Sequence, residues 1–160
     1  MYKRIVLAYD GSVEGRAALR EGALLAQRCG AQVFLLSVVP DTGGLLLAEG
    51  VHPGALGPTE DAFLGVLKEG VERLKKLGFN PVAKLARGEP VFEIGAFAKQ
   101  IGADLIVVGL QRQSTLARWW SGSTGAYLID YTHCSLLVSR NVVSEDAFKI
   151  APTTSDEPTK

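Results

Sequence analysis

Short, continuously apolar runs alternate along this chain with longer stretches in which apolar residues recur every three or four positions. The first run, Ile5 to Tyr9, lies between Lys3-Arg4 and Asp10-Gly11-Ser12 and has the residue types of a strand. Ser12 is a good N-cap, and from it the spacing predicts a helix to about Arg28, with Ala18, Gly22, Leu25 and Cys29 on one face and Gly30 closing it. Gln32 to Val39 is a second strand, apolar on both faces, as in a parallel sheet covered by helices on both sides. Thr59 caps a helix from Glu60 to Leu77 with Phe63, Val66, Leu67, Val71, Leu74 and Leu77 inward, closed by Gly78. Asn80 to Ala86 is a weaker third strand. Gly88-Glu89-Pro90 opens a helix from Pro90 to about Ile101, with proline in the first turn and Glu89 as an acid at its start. Asp104 to Val108 is the fourth and most apolar strand, a helix follows from about Gly122 to Tyr131, and Ser135 to Ser139 is the fifth strand.

Strict alternation of strand and helix means an α/β fold with a parallel sheet and right-handed crossovers. Such sheets bind ligands beyond the carboxyl ends of their strands, where the strand order reverses. The residues just after Tyr9, Val38 and Val108 therefore form the candidate site. Two segments stand outside the alternation. Residues 40–58 contain five glycines and three prolines and read as a flap, with Leu45-Leu46-Leu47 as its packing foot. Residues 141–160 are polar with late prolines and are expected to be partly disordered or draped on the surface.

Composition narrows the class without changing this picture. A chain of 160 residues suits one domain, and 47% hydrophobic residues suit a globular one. Seventeen basic and seventeen acidic side chains cancel, which leaves no footprint for nucleic acid or an anionic membrane. Cys29 and Cys134 lack metal or redox spacing and are expected to be buried thiols in a reducing compartment. The N-terminal apolar run is too short for a signal peptide or a membrane span, and the expected location is the cytoplasm.

At the predicted sheet edge, Asp10 offers a carboxylate to a ribose hydroxyl or a base amino group. It would equally serve as a turn former or as a helix N-terminal acid. Neither a G-x-G-x-x-G nor a G-x-x-x-x-G-K-[ST] pattern is present, so the usual dinucleotide and P-loop sites are excluded. Gly109 lets the backbone pass close to a ligand, and Gly122-Ser123-Thr124 opens a helix with free amide donors and hydroxyls. Trp119 and Trp120 are read as packing residues. His52 and His133 have no partner at metal or catalytic spacing.

With those residues placed, the chain resembles the universal stress protein family over about residues 2 to 140. The resemblance rests on IVLAYDGS, LLSVV, ARGEP, GADLIVVG and CSLLVSR. Nucleotide-binding members of that family carry G-x-x-G-x9-G-[ST]. Here the pattern falls on Gly109, position 112, Gly122 and Ser123, and position 112 is Arg. The resemblance implies a five-stranded parallel sheet of order 3-2-1-4-5 with helices on both faces (Rossmann-like, adenine nucleotide alpha hydrolase-like). It implies that Asp10 and the main chain of Val38 contact ribose and adenine. It also implies ATP or AMP as ligand and a homodimer joined through Ser135 to Ser139.

Arg112 admits two outcomes. A residue forced to positive φ there is strained, and its side chain fills the phosphate cradle. If the loop accepts a Cβ, the guanidinium is a bidentate anion ligand. The expected protein is thus an adenine-nucleotide-binding stress-response or regulatory module that binds rather than catalyses, with Mg²⁺ at most through the nucleotide's phosphates. A nucleotide-free member acting through dimerisation and partner contacts, and a slow ATPase, are the alternatives.

Overall fold

Ile5, Val6 and Leu7 are at most 1% exposed, on both sides of their strand, which is the environment of the middle of a parallel sheet. The computed structural model describes residues 1–41, 59–109, 128–140 and 143–149. Its five strands are β1 (Arg4–Ala8), β2 (Gln32–Pro40), β3 (Val82–Gly88), β4 (Leu105–Gly109) and β5 (Ser135–Ser139). They pair in parallel in the order β3-β2-β1-β4-β5. Among the described residues three helices, α1 (Val13–Cys29), α2 (Glu60–Lys76) and α3 (Pro90–Ile101), make the β1–β2, β2–β3 and β3–β4 crossovers.

The period of two along each strand sorts the core into two layers. Ile5 stands level with Val33 and Leu105, and these join Leu7, Leu35 and Val107 under α1 and α2, whose Leu19, Ala23, Leu67 and Leu74 complete that layer. Val6 is level with Phe34 and Ile106, and these join Leu36 and Val108 under α3, whose Val91, Ile94 and Phe97 face them. Helices therefore cover both faces. The buried stripe of α1 consists of small residues around Leu19, namely Gly15, Ala18, Gly22, Ala23 and Ala26, which lets the helix lie close on the sheet. Leu25 and Cys29 sit at its margin.

The helices begin and end on local signals. Ser12 Oγ accepts from the Gly15 N–H at 2.9 Å, and Thr59 Oγ1 accepts from the Ala62 N–H at 3.3 Å. Gly30 takes φ 61°, and the Ala31 N–H closes the turn on Ala26 O at 2.8 Å, a Schellman-type ending that needs a residue tolerant of the left-handed region.

Three details differ from the sequence pattern. β3 runs from Val82 to Gly88 instead of from Asn80 to Ala86, because its register continues along β2 through Val39 opposite Arg87 and Pro40 opposite Gly88. The end of the expected helix over 122–131 is a 3-10 turn, Leu128–Tyr131, held by burial of Leu128 and by Tyr131 stacked edge-on against Phe92 of α3, 4.4 Å between centroids. Both cysteines are half-buried rather than buried, since Cys29 ends α1 and Cys134 directly precedes β5. Burial, with Asp104 nearby, pushes the Cys134 thiol up.

Residues 143–149 lie across α1. Arg20 Nε donates to Val143 O at 3.0 Å, Arg28 donates to Ala147 O at 2.9 Å, and the Arg20 guanidinium sits 5.6 Å from the centre of the Phe148 ring. No helix among the described residues is long and apolar enough to cross a membrane.

Candidate functional site

Strand order reverses between β1 and β4, with β2 on the far side of one and β5 on the far side of the other, and the carboxyl ends at such a switch point are where parallel α/β sheets bind ligands. Asp10 follows β1 at that point. Its Oδ1 accepts from the Ser12 N–H at 3.0 Å and from the Ser12 hydroxyl at 2.6 Å. Ser12 in turn caps Gly15, so Asp10, Ser12 and the first turn of α1 form one relay. The second carboxylate oxygen, Oδ2, takes no part in that relay.

Gly109 is the last residue of β4. A Cβ placed on it would lie 2.5 Å from Glu14 O and 2.8 Å from Gly15 N. The end of β4 therefore runs against the backbone of the first turn of α1, and only glycine permits that approach. Asp10 and Gly109 thereby both lie at α1's amino end.

Val38 enters from the next strand. The β1–β2 ladder stops with Ala8 opposite Leu36, and the Tyr9 N–H makes the last bond, to Leu36 O at 2.8 Å. Alternate residues of a parallel strand turn their N–H and C=O to the same neighbour, so Val38 directs its peptide groups to the β1 side, past the end of the ladder. Its side chain packs against the α3 layer.

Arg112, Gly122, Ser123 and Thr124 lie outside the described residues, as do Trp119, Trp120, His52 and the Leu45-Leu46-Leu47 run. His133 is exposed. No group of three or more His, Cys, Asp or Glu side chains able to hold a metal occurs among the described residues.

The structure adds a polar cluster at this edge that sequence reasoning missed. The Tyr9 ring is buried and its hydroxyl donates to Glu69 Oε2 of α2. Glu69 Oε1 also holds Arg73 at 2.5 Å and Arg16 at 3.2 Å. Burial, reinforced by the neighbouring Glu69 carboxylate, pushes the Tyr9 phenol up to about 12, against the pull of Arg16. For Glu69, burial acts upward, but the Tyr9 hydrogen bond and the two guanidiniums outweigh it and hold the carboxyl below its usual range. Beside this cluster the fully buried Ser37 hydroxyl donates to Tyr9 O at 2.8 Å, satisfying the carbonyl that the ladder leaves open. One signal pointed to Ser37: it is the single hydroxyl within the apolar run VFLLSVV. Glu69 and Arg73 carry no such signal, since four-residue spacing reads as an ordinary solvated helix face.

A family model described as the universal stress protein family matches residues 1–140. The chain belongs to the universal stress protein family. Universal stress protein MJ0531 of Methanocaldococcus jannaschii is 32% identical over 156 residues, covering 91% of this chain and 86% of the relative. Among solved structures, a universal stress protein in complex with cAMP superposes with a TM-score of 0.65 at 22% identity, over 87% of this chain and 97% of that one. The Archaeoglobus fulgidus universal stress protein in complex with dAMP gives 0.62 at 22% identity, over 87% and 98%. At these identities the structural likeness establishes the fold, a Rossmann-like α/β sheet shared with other universal stress proteins.

Proposed function

We propose that this universal stress protein binds an adenine nucleotide, ATP or AMP, in the crevice between β1 and β4, as a dimeric stress-response or regulatory module. The observation that carries this reading is the convergence at one sheet edge of the Asp10 carboxylate, the outward peptide groups of Val38 and the close approach at Gly109. A carboxylate and a peptide edge suit ribose hydroxyls and an adenine edge. In this reading Arg112, Gly122, Ser123 and Thr124, which follow Gly109 in the sequence, supply the anion donors for the phosphates. Two structural relatives, the complexes with cAMP and with dAMP, hold adenine nucleotides and support the same ligand class. Any Mg²⁺ would come with the phosphates. In this reading residues 1–140 are the binding domain and the C-terminal segment is an accessory to it.

Nucleotide is expected to raise the melting temperature. At a concentration about a hundred times Kd the gain is about 2.7 kcal/mol, or roughly 5–10 °C for a chain of this size. No shift at millimolar ATP or AMP would sink the proposal. Arg112 favours a second reading, a nucleotide-free member acting through partners. The Arg112→Gly variant separates the two. It creates a thermal response under the second reading and changes an existing one only modestly under the first.

The dimer is proposed through β5. This strand forms one edge of the sheet, its Leu136, Leu137 and Val138 are only half-buried, and its outer peptide groups pair with no described strand. Sedimentation equilibrium is expected to return twice the chain mass at micromolar concentration, and a monomer would contradict it.

A further inference from the structure

Away from Asp10 and Gly109, a cleft of about 520 Å³ lies along the outer seam between α1 and α2 and is lined also by Phe148 and Lys149. Its volume falls in the range of small-molecule sites, roughly 300–1,000 Å³. Its walls divide by chemistry. Leu19, Leu77 and Phe148 supply apolar surface, and all three belong to or pack on the core layer beneath. Arg20, Arg73, Lys76 and Lys149 supply positive charge, against the two carboxylates of Glu69 and Glu72.

The carboxylates are already engaged. Glu69 holds Arg16 and Arg73, Glu72 holds Lys75 at 2.9 Å, and Lys149 is drawn to Asp146 at 2.8 Å. Lys76 has no ion pair among the described residues. Arg20 spends its Nε–H on Val143 O and lays its guanidinium over Phe148, and it forms no ion pair with a carboxylate among the described residues. The cleft thus presents an apolar floor beside two cations, Lys76 and Arg20, that no acidic side chain among the described residues neutralises.

We propose that this cleft is a second binding site, for a small amphipathic anion with a short apolar body and a single carboxylate or phosphate head. The body covers Phe148 and Leu77. The head lies between Arg20 and Lys76, where a planar guanidinium and an ammonium both donate hydrogen bonds to an anionic oxygen. A wholly apolar ligand leaves the cations unanswered, and a bare inorganic anion leaves the floor wet, so neither is the preferred occupant. Neither Asp10 nor Gly109 lines the cleft, and of the polar cluster around Tyr9 it shares only Glu69 and Arg73.

The test titrates the full chain with octyl phosphate, octanoate and octanol, followed by amide chemical shifts in the NMR spectrum. Both anions are expected to bind and to move resonances of Arg20, Arg73, Lys76 and Phe148, with octanol much weaker. Comparison of the two anions shows which head is preferred. Lys76→Glu, on an exposed helix face, is expected to weaken the anions about tenfold without altering the thermal response to AMP. Phe148→Ala is expected to weaken the octyl compounds and leave inorganic phosphate unchanged. Equal binding of octanol and the anions, shifts centred elsewhere, or an unchanged affinity in Lys76→Glu overturns the proposal. Binding that appears only after removal of residues 150–160 also overturns it, since the chain's own end would then be the occupant.

Discussion

Replacing Gly109 with alanine is expected to lower folding stability by about 3 kcal/mol and to remove the response to nucleotide. The added Cβ would stand 2.5 Å from Glu14 O, 2.6 Å from the Glu14 carbonyl carbon and 2.8 Å from Gly15 N. All three are backbone atoms of the first turn of α1, so no side chain can rotate away. The helix start must lift from the end of β4, which opens the crevice and pulls Ser12 from its alignment with Asp10. For a chain of this length the loss corresponds to a fall in melting temperature of roughly 6–12 °C. Gly65→Ala is the internal control. Gly65 is exposed on α2, a Cβ there meets nothing within 4 Å, and the change is expected to stabilise by about 0.5–1 kcal/mol. Thermal and urea unfolding of both variants decide the point. A Gly109→Ala protein that melts like its parent would show that the helix and strand do not approach so closely.

The second large effect is expected on binding. Asp10→Ala should weaken ATP or AMP about 10- to 100-fold, because a charge-assisted hydrogen bond is worth about 1.5–3 kcal/mol. The same variant should lose about 1 kcal/mol of stability, since the Ser12 N–H and hydroxyl lose their acceptor and the cap on Gly15 loosens. Asp10→Asn separates the two roles. Its carbonyl oxygen can still accept from Ser12, so most of the stability returns, while the negative charge offered to the ligand does not. Calorimetric titration with AMP beside thermal unfolding reads both quantities. Full affinity in Asp10→Ala would make the residue purely a turn former and would move the ligand elsewhere.

The two alternatives weighed for Asp10, turn former and ligand acceptor, are both compatible with its surroundings. Oδ1 serves the turn, and Oδ2 makes no hydrogen bond among the described residues. A string of residues could not express this, because a carboxylate's two oxygens have the same letter. Gly109 illustrates the same gap. Its place after a strand suggested tolerance for a nearby ligand, whereas the structure shows that it is also demanded by the protein's own backbone at Glu14 and Gly15.

Element type, order and most boundaries were legible in residues 1–41 and 59–109, where periodicity, caps and closing glycines all act over a few neighbouring positions. Ser12, Thr59 and Gly30 each perform locally the role that their residue type suggests. Where tertiary pairing intervened, the pattern failed. β3 shifted by two residues because β2 continued to offer partners, and the turn at Leu128–Tyr131 follows its packing on α3. The hydrogen bond from Tyr9 to Glu69 in the polar cluster spans sixty residues of chain, and the cleft gathers Leu19, Lys76 and Phe148 from still more distant positions. Hydrophobic rhythm specifies which face of an element is buried. It carries no information about which polar side chains meet across two elements, since that depends on strand order, crossing angle and distances of a few ångströms. The sequence alone therefore yields an alternating α/β chain with its strand-end acid and glycine. Only the packed sheet, by setting β1 beside β4 and α1 beside α2, brings those residues to one sheet edge and creates the cleft between the two helices.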